Sequence, residues 1–72
     1  MPLIQIKVFK DELSPEQSTD IIAKITDVIT EVTHEKLRDS TWVIIDEVKD
    51  DHWGLGGKAL SLSDVKLMIS GR

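Results

Sequence analysis

The chain has 72 residues, nine of them Lys or Arg and thirteen Asp or Glu, giving 9 − 13 = −4, and it has no cysteine. The missing thiols exclude a disulfide framework and a thiolate metal site, and the acidic balance argues against nucleic acid, which calls for clustered Lys and Arg. A chain this short hides only about 60% of its unfolded surface on folding, so association with copies of itself or a close partner is expected to supply the stability its core lacks.

Leu3-Ile4-Gln5-Ile6-Lys7-Val8-Phe9 is rich in β-branched residues and alternates, with Ile4, Ile6 and Val8 on one face and Leu3, Gln5, Lys7 and Phe9 on the other. It predicts a strand. After the short polar connection Lys10 to Leu13, Ser14-Pro15-Glu16-Gln17 supplies an N-cap serine, a proline at the first helical position and a glutamine three residues after the cap. Glu16 and Asp20 add negative charge near the positive end of the helix dipole. From there Ile21, Ile22, Ile25, Val28, Ile29 and Val32 recur as one apolar stripe of helical period, predicting a helix from Pro15 to about Thr33 or His34.

Glu35 to Ser40 is polar except for Leu37 and is expected to be a loop pinned to the core by that leucine. Thr41 to Val48 is apolar at its start and alternating at its end, a second strand. Strand, long amphipathic helix and strand make one βαβ unit with parallel strands. The Gly-rich stretch Trp53 to Ala59 predicts a tight hairpin or a bulged return. Beyond it, a short helix capped by Ser61 or Ser63 is expected to dock through Leu62, Val65 and Met68 or Ile69. No repeat, linker or low-complexity tract interrupts the chain, which reads as a single domain over residues 1–72. No stretch reaches the ~18 apolar residues of a membrane span, and no charged-then-apolar leader opens it, so a cytoplasmic protein without a membrane partner is expected.

Two parallel strands cannot cover so long a helix, and both would keep an open edge. A second copy would widen the sheet.

For chemistry, Pro2 is the first candidate. With Met1 removed it would carry a free secondary amine on a rigid strand, in the class of α-amino groups that titrate near pH 7.7 to 8.0. An apolar cleft would favour its neutral form and make it a general base without His or Glu. Against this stands the plain alternative of a proline that merely leads a strand. Trp53 is either a packing anchor or the wall of a substrate pocket that excludes water. Gly54-Leu55-Gly56-Gly57-Lys58 lacks the spacing of a phosphate loop. His34 and His52 have no partners at ligand spacing, and the acidic pairs Asp46-Glu47 and Asp50-Asp51 read as solvated charge.

Pro2-Leu3-Ile4-Gln5-Ile6, the helix entry Leu13 to Gln17, Val43 to Val48 and His52-Trp53-Gly54-Leu55-Gly56-Gly57 together resemble the 4-oxalocrotonate tautomerase family over about residues 2 to 60. Phe9 to Val28 is also similar to the branch of small tautomerases that act on phenylpyruvate. The resemblance implies an α+β fold in which βαβ units, each with a C-terminal Gly-rich hairpin, pair into four-stranded sheets. It implies a homo-oligomer, a hexamer or alternatively a dimer, and no cofactor. The implied activity is enol to keto or allylic proton transfer on a small 2-oxo acid, with Pro2 as the base and Trp53 in place of the family's pocket aromatic. The family's two substrate-binding arginines are absent: Glu12 or Leu13 stands before the helix and Trp42 opens the second strand. Lys10, Lys58 or Arg38 could substitute from a neighbouring subunit, and Trp42 would make the site more apolar. The alternative to an active enzyme is a non-catalytic or arginine-deficient subunit of such an oligomer.

Overall fold

The computed structural model describes residues 1–71. The alternating N-terminal segment forms β1 (Leu3–Phe9), and the β-branched run after residue 41 forms β2 (Trp42–Val48). They pair in parallel along their full length, Leu3 opposite Trp42 and Phe9 opposite Val48. The crossover is α1 (Pro15–Val32), whose start is the capping box expected from the sequence. The Ser14 hydroxyl accepts from the Gln17 N–H at 3.1 Å, and the Gln17 side-chain oxygen accepts from the Ser14 N–H at 2.9 Å. Two amide donors that the helix leaves unpaired are thereby satisfied.

Alternation sorts the sheet into two faces. Ile4, Ile6 and Val8 are half-buried on the side under α1, beside Val43 and Ile45 in register. Leu3, Gln5 and Lys7 of the outer face are exposed, while Phe9 at its far end is the most deeply buried apolar residue, at 4% exposure.

Glu35 to Ser40 differs from expectation. It is a 3-10 helix rather than a loop, because local partners hold it wound. The His34 ring accepts from the Lys36 N–H at 3.0 Å, and the Leu37 carbonyl accepts from the Thr41 hydroxyl at 2.8 Å. The Arg38 guanidinium reaches back to α1, donating to Asp27 at 2.8 Å and to the buried Thr30 hydroxyl at 3.1 Å, and it also pairs with Glu35.

The Gly-rich stretch forms the tighter of the two arrangements expected, an antiparallel hairpin of β3 (Trp53–Leu55) and β4 (Lys58–Leu60). Gly56 and Gly57 make its two-residue turn with φ of 59° and 84°. Two successive positive φ values define the hairpin turn whose twist matches the strands, and glycine adopts them without steric cost.

α2 (Leu62–Ser70) follows directly, with Ser61 rather than Ser63 as its cap residue. The Asp64 carboxylate accepts from the Ser61 N–H and the Asp50 carboxylate from the Leu62 N–H, each at 2.8 Å. The expected docking of this helix is only half realised. Leu62 and Val65 are half-buried, but Met68 and Ile69, one turn further along the same face, are 79% and 81% exposed. The reason is geometric: the hairpin carries α2 toward the end of the sheet, and among the described residues none covers Met68 and Ile69. Accordingly the molecule is long, 42 × 24 × 21 Å, with a radius of gyration of 15.0 Å, against about 11 Å for a compact chain of this length.

Among the described residues no helix is long and apolar enough to cross a membrane. The chain's own sheets have two strands each, so the outer edges of β1 and β2 carry no partner strand within it.

Candidate functional site

Pro2 lies one residue before β1, where it needs no ladder N–H and costs the sheet nothing. Its carbonyl accepts from the Trp42 N–H at 2.9 Å, which fixes the head of β1 against the head of β2. Pro2 is half-buried, and Met1 before it is 83% exposed. Trp42 is itself 58% exposed and, through the Leu3–Trp42 register, lies beside Leu3 on the outer face. Leu3 beside it in the chain and Trp42, which donates to its carbonyl, are both uncharged.

Trp53 is at the other end of the sheet. Its ring stacks on Phe9, centroids 4.7 Å apart and planes 25° from parallel, an arrangement that contributes about 0.5–1.5 kcal/mol beyond its burial. Seven residue steps separate Pro2 from Phe9, roughly 23 Å at strand rise. Lys58, opposite Leu55 at the hairpin end, lies two residues beyond Trp53 in the ladder. One chain thus brings Pro2 and Trp42 together, and Trp53 with Lys58 at the far end, without joining the two groups.

The cations divide sharply by availability. Lys7 is paired with Asp46 at 3.2 Å, Lys24 with Asp20 at 2.9 Å, and Arg38 with Asp27 and Glu35. The hydrogen bonds that Arg38 donates to Glu35 and Asp27 raise its pKa, and the bond to Glu35 lowers that of Glu35. Arg38 is therefore committed to holding the 3-10 helix on α1. Glu12, in the loop before α1, accepts from the Phe9 N–H at 2.9 Å and closes the end of β1; Leu13 is half-buried beside it. Among the described residues Lys10, Lys36, Lys49, Lys58 and Lys66 make no ion pair, and of these Lys10, Lys49 and Lys58 lie at the Trp53 end of the sheet or on its hairpin.

Lys10 and Lys49 line one cleft with Glu47, Val48 and His52, at the Trp53 end of the sheet. Lys49 is an addition to the residues singled out from sequence, and His52, considered there only as a metal ligand, joins it. The parallel register brings Lys10 and Lys49 together, since each directly follows a strand end. Nothing local in the sequence marks that pairing. No group of three or more potential metal ligands forms among the described residues.

Known proteins share this chain's fold and much of its sequence. Residues 2–63 match the family described as tautomerase enzyme, a match that starts at Pro2 and spans the βαβ unit and the hairpin. The probable tautomerase K2 of Dickeya dadantii is 39% identical over 61 residues, covering 85% of this chain and 90% of that protein. The probable tautomerase Cj0270 of Campylobacter jejuni is 32% identical over 66 residues, covering 92% and 96%. Among solved structures, YwhB, a homologue of 4-oxalocrotonate tautomerase, superposes with a TM-score of 0.70 at 28% identity, covering 88% of this chain and 97% of that one. From Pro2 to the hairpin, fold and sequence place the chain in the tautomerase family.

Proposed function

We propose that the chain catalyses enol to keto proton transfer on a small 2-oxo acid, with Pro2, freed by removal of Met1, as the general base. The observation that carries this reading is Pro2 itself, half-buried at the head of a strand, with its carbonyl tied to the Trp42 N–H and uncharged Leu3 next to it. Such surroundings favour the neutral amine. The amine takes the proton of the enol hydroxyl, the oxygen closes to a carbonyl, and the adjacent carbon takes a proton back from the ammonium. No proton is gained or lost overall, and no cofactor is called for.

A substrate that touches both Pro2 and Trp53 needs two copies of the chain, since one chain holds them about 20 Å apart. In an antiparallel pairing of sheets the Phe9–Trp53 end of one copy lies beside the Pro2 end of the other. Trp53 then walls the site and excludes water, while Lys58, Lys10 or Lys49 supplies the positive charge for the substrate carboxylate. A lysine offers a point charge and not the bidentate fork of an arginine. Loss of one oxyanion donor costs about 2.7–4 kcal/mol, so activity on dicarboxylates is expected to be weak. Trp42 favours an aromatic 2-oxo acid such as phenylpyruvate.

Ketonisation of enol-phenylpyruvate, followed by ultraviolet absorbance with protein whose intact mass confirms loss of Met1, tests the assignment. Pro2→Ala is expected to slow the reaction by about 10²–10⁴-fold, the usual contribution of a positioned base. Equal rates remove Pro2 from the mechanism.

A second reading, an arginine-deficient subunit that works beside a different chain, draws on Trp42 at the head of β2 and on the commitment of Arg38. Native mass spectrometry of the protein purified from its source decides it, because an active particle built only of this chain excludes the mixed assembly.

A further inference from the structure

The family match ends at residue 63, so nearly all of α2 lies beyond what the family accounts for. Its apolar face begins against the chain's own surface at Leu62 and Val65 and continues at Met68 and Ile69 into solvent. This face is one part of a surface excess of the whole molecule. The chain exposes 5624 Å², whereas a compact chain of this mass exposes about 4,500 Å². The difference, about 1,100 Å² per chain or about 2,200 Å² for two, is what a stable homodimer buries. A second copy of this chain is therefore the occupant that fits the uncovered face.

Outside α2, exposed large apolar side chains lie side by side at Val28 with Val32 and at Leu3 with Trp42. Val28 and Val32 on α1 are 56% and 79% exposed, but Lys24 and Glu31 flank them on the helix, and a docked helix would strip those charges of water at high cost. Leu3 and Trp42 are 56% and 58% exposed, and the next residues on their face, Gln5 and Ile44, are uncharged. The nearest charges along that face, Lys7 and Asp46, already neutralise one another.

We propose that α2 of one copy seats Met68 and Ile69 on the Leu3–Trp42 patch of a second copy and so roofs the Pro2 end of its sheet. The arm departs where Trp53 stacks on Phe9, on the outer face and at the opposite end from Leu3. In a two-fold pair with antiparallel sheets each arm therefore leaves its own chain beside the other's Leu3 and Trp42, and the exchange is reciprocal. That the roof closes an active site rests on the role assigned to Pro2; the docking itself does not.

The absence of cysteine makes the test clean. Leu3→Cys and Met68→Cys are made in separately tagged copies, co-expressed and mildly oxidised. A disulfide between the two differently tagged chains is expected, since seated residues come within bridging distance. A bridge between two Met68→Cys chains, a bridge only when Val32→Cys replaces Leu3→Cys, or no bridge while native mass spectrometry still shows an oligomer overturns the proposal. Tautomerase assays on Pro2→Ala in the same background separate the two ideas, because loss of the bridge with full Pro2-dependent activity sinks the roof alone.

Discussion

Phe9 and Arg38 show how much a single side chain settles here. Phe9 is the most deeply buried apolar residue among those described, at 4% exposure, and Trp53 rests on it. Phe9→Ala should cost about 3–5 kcal/mol through lost burial and the cavity left behind. It should also change the tryptophan emission as Trp53 loses its partner, and an unshifted midpoint in urea would refute that role. Arg38 makes a different statement. Its hydrogen bond to Glu35 holds that carboxyl below the usual carboxylate range. Because the folded-state pKa is depressed, the contact's contribution is complete above about pH 4.3, the ordinary glutamate value. It is lost as the pH falls through the folded-state pKa. Titration by carboxyl-carbon NMR should find Glu35 below that ordinary value, and Arg38→Gln should return it upward. A Glu35 midpoint indifferent to Arg38→Gln would show the pair to be inconsequential in solution.

At the scale of elements, the capping box at Ser14 is the strongest local signal in the chain, and its removal is measurable. Ser14→Ala should cost about 1 kcal/mol, lowering the melting midpoint by about 4–8 °C for a domain of this size when compared at equal protein concentration. Legibility follows the same line. β1, α1 and β2 were readable because alternation, a single apolar stripe and a cap are local patterns, and Gly56-Gly57 announced its turn by residue type. The 3-10 helix at Glu35–Ser40 was not, since it is held by Arg38 reaching Asp27 and Thr30, eleven and eight residues back. The stack of Trp53 on Phe9 and the cleft shared by Lys10, Lys49 and His52 were hidden for a related reason. They join residues about forty apart, the lysines through the parallel register and Trp53 through the return of the chain after β2. For the site, sequence supplied Pro2, Trp42, Trp53 and Lys58 as residues, but not their separation to opposite ends of the sheet.

For the whole molecule, that separation and the length of the chain are one fact seen twice. A sheet with two unpaired edges, an outer face open at Leu3 and Trp42, and a helix whose last turn covers nothing leave the surface excess described above. If the native state is an assembly that buries this area, unfolding is coupled to dissociation, and mass action makes stability depend on concentration. The melting midpoint should then climb steadily as protein is raised from micromolar to millimolar, each tenfold step adding about 1.4 kcal/mol per dissociation step. Ile69→Asp should lower the midpoint most at high concentration and weaken that dependence, because it places a charge where one copy meets the next and disturbs little within its own chain. Scanning calorimetry over that range is the measurement, and a midpoint independent of concentration would show that the single extended chain is stable alone. In that case Pro2 and Trp53 stay about 20 Å apart, and no one substrate meets both.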